Sequence, residues 1–318
     1  MDCKSTKATI CAILGNIIWG FGFLFTSVCL SVATEPNVML AHRFILSTIC
    51  MLFLMLIGKG RVSLKGKNWK PIIFLLLMQL FYYLFETYSV LYTNSTMSGL
   101  VLSVVPVVTI GTGALFLKEY PTRRQLLFCT MPVAGVIIMT VSGKDLGVAT
   151  PLGIFFLLLT MLASALYKTA NRKASAEFTP FERTFFVLLI SATVFSFVGL
   201  GAVDWNVTAF VAPLMQWKYL LSVLSLGILS SIVANILVNY ATEQMSAFKI
   251  SAFGSLSTLC AGFAGIVILK EPVSVSFVLG GILILIGVQQ VTKPGAAKSN
   301  KKQMKYVSEN IFKQEDSI

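Results

Sequence analysis

Charge is what this chain has least of. Only 12% of its 318 residues are Asp, Glu, Lys or Arg, against about 25% in an ordinary soluble domain. With 25 basic and 13 acidic residues, no soluble fold of this length could clothe itself in a polar skin. Histidine occurs once, so a zinc enzyme built on several imidazoles is excluded. The six cysteines contain no Cys-x-x-Cys pair. Cys11, Cys29, Cys50, Cys129 and Cys260 fall inside apolar runs, where free thiols act as small apolar side chains. No Gly-Lys-Ser phosphate loop, His-Glu-x-x-His or serine elbow is present, so neither ATP hydrolysis nor a hydrolase site is legible. No cofactor and no metal site is expected, and the chain is not read as an enzyme.

What is there is apolar. Ala, Val, Ile, Leu, Met, Phe, Trp, Tyr and Cys make up 56% of the chain. Runs of about 18 or more such residues are read as membrane-spanning helices. They cover Thr9–Leu30, Val38–Ile57, Pro71–Leu91, Thr96–Leu117, Gln125–Val141, Pro151–Tyr167, Phe181–Ala202, Tyr219–Tyr240, Ala247–Leu269 and Ser274–Val291. The fold class expected is an all-α membrane protein with ten transmembrane helices.

The formal charge of +12 is then explained by orientation. With ten spans both termini share one side, and 21 of the 25 basic residues fall on it. Arg43 lies near the start of a span, and only Lys144, Lys218 and Lys270 fall on the opposite side. Basic loops stay in the cytoplasm, so both termini are placed there. No nucleic-acid partner is needed to explain the charge. The expected partners are the lipid bilayer and a small-molecule substrate, for a monomer with a dimer as the alternative.

The two halves echo each other. Leu117-Lys118-Glu119 follows the fourth span with Pro121 close behind, and Leu269-Lys270-Glu271 follows the ninth with Pro272. Upstream, Tyr92 and Met97-Ser98 have counterparts in Tyr240 and Met245-Ser246. Five spans per half make the second copy enter from the opposite face, so the repeats are inverted. That arrangement suits a transporter with substrate near the midplane. The expected domains are a first five-helix repeat over 1–145, a second over 146–292, and a basic cytoplasmic tail over 293–318.

With these motifs in order, the chain resembles the EamA-type ten-helix members of the drug/metabolite transporter superfamily. The matching pieces are Trp19-Gly20, Arg43-Phe44, and Tyr92-Thr93 ahead of Pro106-Val107. Leu117-Lys118-Glu119 with Thr122 and Gln125, and Leu269-Lys270-Glu271-Pro272 with Gly280 and Gly287, complete them. The likeness covers residues 9–292. It implies an inner-membrane exporter or exchanger of small metabolites, with two inverted five-helix repeats around a central cavity. Thr258 stands where such proteins often have proline, and Ser164 where the tryptophan often recurs.

Polar groups left inside the spans are where function is sought. Glu86 lies toward the outer end of the third span, on one helical face with Gln79 and Tyr83 and bordered by Tyr82. It reads as a cavity-facing acid that binds a cationic or zwitterionic substrate or carries a coupling proton. The structural alternative pairs it with Arg43. His42 is a second coupling candidate, or an inert interfacial histidine. Ser231, Asn235 and Asn239 form a stripe along the eighth span, read as cavity lining or as interhelical hydrogen bonding. Trp19, Asn16 and Ser27 offer a similar lining in the first span, with Trp19 open to a packing role. The substrate-binding candidates are Trp19, Arg43, Tyr83, Glu86, Asn235 and Asn239. Gly99, Pro106 and Gly113, with Gly254, Thr258, Ala261 and Gly265, read as close-packing stripes.

The function expected is a secondary transporter exporting small metabolites such as amino acids by alternating access. One alternative is an exchanger of phosphorylated metabolites or nucleotide sugars, disfavoured because only Arg43 and Lys249 lie in or near spans. The other is a non-transporting sensor or scaffold.

Overall fold

Lipid offers a backbone no hydrogen-bond partner, so apolar runs of this length must close their hydrogen bonds within helices. The computed structural model describes residues 3–32, 35–92, 104–141, 150–268 and 275–292, and among them there is no strand. The chain opens with α1 (Cys3–Leu30), α2 (Pro36–Leu56) and α3 (Lys70–Tyr92). Then come α4 (Val105–Leu117), α5 (Arg123–Val141), α6 (Pro151–Ala174) and α7 (Pro180–Gly201). A short α8 (Val207–Val211) leads to the long α9 (Trp217–Gln244). The last elements are α10 (Ala247–Phe253), α11 (Ser255–Ile268) and α12 (Val275–Thr292). Among the described residues, α2, α6, α7 and α9 are long and apolar enough to cross a membrane, and Val105–Leu117, Leu126–Ile138 and Val278–Gln290 are shorter apolar stretches.

The helix starts follow from local chemistry. Proline opens α2, α6 and α7, where its missing N–H would have lacked a partner in any case. The Thr150 hydroxyl accepts from the Gly153 N–H at 3.1 Å. Thr179 and Glu182 form a reciprocal capping box at the head of α7.

Neighbouring pairs are α2 with α7, α3 with α6, and α5 with α12. Helix α1 packs on α9 and α11, α6 also packs on α4, and α4 touches α10. An aromatic core of Phe44, Tyr83 and Phe195 fills the space among α2, α3 and α7. Small residues allow the closest approaches. A Cβ on Gly135 would stand 2.5 Å from the Gly280 carbonyl oxygen, and one on Gly15 would stand 2.6 Å from Val238. Large apolar side chains such as Leu56 and Leu115 point outward, as a lipid-facing surface requires.

The structure corrects the sequence reading in several places. The sixth span was expected to end at Tyr167, but α6 runs on to Ala174, because Lys168 and Arg172 find partners inside the bundle. The ninth span is interrupted at Gly254, between α10 and α11. Gly113 is buried, yet among the described residues a Cβ there would meet nothing within 4 Å, so no close helix approach is placed at it. Gly99, Leu269-Lys270-Glu271-Pro272, the boundary at 145/146 and the basic tail lie outside the described residues.

Candidate functional site

The middle of α9 departs from α-helical winding. From Leu226 to Ala234 it is a π-helix, a rare winding that recurs at functional sites. Side chains from two other helices reach its carbonyls. The Trp19 indole N–H of α1 donates to the Ser230 carbonyl at 3.0 Å, and the Ser47 hydroxyl of α2 approaches the Gly227 carbonyl at 3.1 Å. Within α9, Asn235 Nδ2 donates to the Ser231 carbonyl at 2.9 Å. The backbone also comes close, because Cβ atoms on Gly22 and Gly227 would crowd Ser230 and Ser47. No residue period in the sequence signals this winding, so Gly227, Ser230 and Ser47 were missed.

Arg43 reaches the same stretch. Its Nε donates to Ser231 Oγ at 2.7 Å, and its guanidinium lies 5.5 Å from the Phe44 ring centre. The structural alternative, an ion pair of Arg43 with Glu86, is not formed among the described residues. Among the described residues the ion pairs are Lys67–Glu182, Arg172–Glu119 and Arg183–Glu243. Glu86 is half-buried, and its Oε1 accepts from the Tyr82 hydroxyl at 2.8 Å. Tyr83 is buried against Phe44 and Phe195. Two turns before Glu86, the Gln79 Oε1 is buried and has no hydrogen-bond partner among the described residues. The Asn16 Oδ1 on α1 is in the same condition. Ser27 falls among the residues whose side chains are not described.

The remaining candidates are placed elsewhere. His42 is buried, with Nδ1 2.8 Å from the Tyr219 hydroxyl and its ring edge-on to Phe210. It faces α8 and the start of α9. Asn239 joins a knot of polar groups near the end of α9. Its Oδ1 accepts from Asn171 Nδ2 at 2.8 Å, and its Nδ2 donates to Thr184 Oγ1 at 2.9 Å.

Arg183 is the centre of that knot and is fully buried. Its Nε donates to the Phe178 carbonyl at 3.1 Å, and Nη1 to the Asn171 carbonyl and Oδ1 at 3.3 and 2.7 Å. Nη2 donates to the Asn239 carbonyl at 2.9 Å and to Glu243 Oε1 at 3.0 Å. All five guanidinium donors are thus used. Arg172 donates to the Thr242 and Glu243 carbonyls at 3.0 and 2.9 Å, and to Glu119 Oε1 at 3.3 Å. Glu119 Oε2 accepts the Ala247 N–H at 3.0 Å. The first Leu-Lys-Glu motif thereby anchors the helix that opens the ninth apolar run. In the sequence Arg183 is one of the 21 basic residues on the side of the termini; the Thr179-x-x-Glu182 pattern beside it signals a fixed helix start there.

The comparisons with known proteins agree with this architecture. The EamA-like transporter family matches residues 6–141 and again 151–292. The chain is 35% identical over 290 residues to an uncharacterized transporter of Bacillus subtilis (strain 168), YcxC, covering 90% of this chain and 92% of that protein. It is 22% identical over 292 residues to an uncharacterized transporter of Archaeoglobus fulgidus, covering 88% and 98%. A crystal structure at 16% identity shares the fold, with a TM-score of 0.74 over 92% of this chain and 98% of that one. An all-α, multi-pass membrane protein whose apolar helices gather polar groups at an irregular helix centre, this chain belongs to the EamA-like transporter family.

Proposed function

We propose that this chain is a secondary exporter of small polar or amphipathic metabolites, such as amino acids, working by alternating access. The observation that carries the reading is the convergence of Trp19, Arg43 and Ser47 on the π-helical stretch of α9, with Glu86 and Tyr82 on α3. Such winding is rare and recurs at functional sites, which suits a helix that shifts as access changes sides. The Glu86 carboxylate and the unpartnered Gln79 Oε1 are acceptors suited to an ammonium group.

We place ten spans in two inverted repeats, 1–145 and 146–292, with a cytoplasmic tail over 293–318. The two stretches matched by the family support that division. The helix pairing supports it as well, because exchanging the halves carries the α3–α6 contact onto α1–α9 and the α4–α6 contact onto α1–α11. The excess of basic residues on one side supports an inner membrane with both termini cytoplasmic.

The test is counterflow in proteoliposomes holding the purified chain, against amino acids, nucleosides and sugar phosphates. Amino-acid flux is expected, with at least a tenfold loss in Glu86→Gln and unchanged membrane insertion. Exchange of sugar phosphates alone would overturn the reading of the substrate. Wild-type flux and pH profile in Glu86→Gln would remove Glu86 from the mechanism.

A further inference from the structure

Lys168 lies inside α6, two turns before the helix ends at Ala174. Its Nζ donates to Ser251 Oγ on α10 at 3.1 Å and stands 3.7 Å from where a Cβ on Gly254 would be. Ser251 Oγ also accepts from the Thr109 hydroxyl of α4 at 3.2 Å. Nearby, Thr112 and Thr169 share a hydrogen bond of 2.8 Å between α4 and α6. Three helices therefore meet around one ammonium, and among the described residues its neighbours are a hydroxyl and backbone. Lys168 belongs to none of the three ion pairs among the described residues.

An ammonium has three N–H donors and no acceptor, and Ser251 takes one of them. The Lys168 side chain is part-buried, and a cation drawn from water without a counter-charge is disfavoured unless something else neutralises it. A cation kept at such a place in a transport protein fits a counter-ion that arrives and leaves. The backbone beside it is interrupted too. Gly254 N–H bonds back to the Ser251 carbonyl at 3.0 Å, and Ser257 N–H to the Gly254 carbonyl at 3.1 Å. Interrupted helices in secondary transporters lie where substrate binds.

We propose that Lys168 and Ser251 form an anion subsite of the transport path that takes the carboxylate of the substrate. This deepens the amino-acid reading above and rests on it. One ammonium with one hydroxyl matches a single carboxylate. A phosphate dianion would call for an arginine fork or several cations, and the subsite contains neither.

The experiment compares Lys168→Gln, Lys168→Arg and the unaltered chain in proteoliposomes. Counterflow is measured with L-amino acids, their carboxamides and the corresponding decarboxylated amines. The unaltered chain should favour amino acids over carboxamides and amines by at least tenfold. Lys168→Gln should lose that preference, and Lys168→Arg should keep most of it. Full preference retained in a folded Lys168→Gln would overturn the proposal. Equal handling of acids, carboxamides and amines by the unaltered chain would also overturn it, while leaving the transporter reading intact; this comparison holds even if the variant fails to fold. Absence of flux for every compound would overturn both.

Discussion

The indole N–H of Trp19 donates to the carbonyl of Ser230, 3.0 Å away and 211 residues distant in sequence. That carbonyl belongs to the π-helical stretch of α9, so the irregular winding of one helix is bound to the midpoint of another. Asn235 Nδ2 approaches the same carbonyl at 3.3 Å, which makes Ser230 the point where α1 and α9 are tied.

Trp19→Phe keeps the aromatic ring and deletes only the donor. Because Asn235 still approaches Ser230, the loss should be about 1 kcal/mol rather than the full penalty of an orphaned carbonyl. Thermal unfolding in detergent should show it, together with slower flux in proteoliposomes. An unchanged unfolding curve would mean that the indole contributes packing alone.

Arg183 has no solvent exposure and spends all five donors on the ends of α6 and α9 and on the turn between α6 and α7. Arg183→Met leaves Glu243, Asn171 and two carbonyls without their donor, a change that destabilises by about 3–5 kcal/mol. Lysine cannot reproduce the fork, so Arg183→Lys should fail similarly. Arg123 is exposed at the head of α5, and Arg123→Met should stay within about 0.5 kcal/mol of the parent. Recovery of monodisperse protein and its thermal midpoint decide between the two.

Gly135 and Gly111 make a matched pair. A methyl on Gly135 would meet the Gly280 carbonyl at 2.5 Å and Ile284 at 2.9 Å, whereas one on the exposed Gly111 would meet nothing within 4 Å among the described residues. Gly135→Ala should push α12 from α5 and lose about 1–3 kcal/mol. Gly111→Ala should be neutral or slightly stabilising, since alanine is the better helix former. Equal midpoints for the two variants would show that the α5–α12 contact is looser than described.

The segment joining α2 to α3 carries Lys59, Arg61, Lys65 and Lys67, and Lys67 is held 2.6 Å from Glu182 at the head of α7. Lys65 is exposed. Lys65→Cys, in a chain with its native cysteines replaced, should react with an impermeant thiol reagent only from the cytoplasmic side. Labelling from outside would reverse the topology.

Much of the fold was legible because lipid leaves few choices. An apolar run long enough to span must be a helix, and helices lie over the described residues of the runs from Val38–Ile57 to Tyr219–Tyr240. Ends were less legible. Lys168 and Arg172 looked like the polar flank of a span, yet α6 carries both onward because Ser251, Glu119 and the end of α9 receive them. The candidate site was half legible for the same reason. Glu86 stands out in any apolar run, but its partner Tyr82 is one turn away while Arg43 turns instead to Ser231.

The amino-acid sequence alone determined the class of protein, the placement of most helices and the asymmetry of charge, since these follow from local composition and the solvent properties of a bilayer. It also determined which few polar groups sit among apolar neighbours. Tertiary structure decided what those groups do. The π-winding of α9, the five-donor seat of Arg183 and the Lys168–Ser251 contact all depend on residues far apart in sequence. Such contacts leave no periodic trace in the chain, because each is set by the packing of helices against one another.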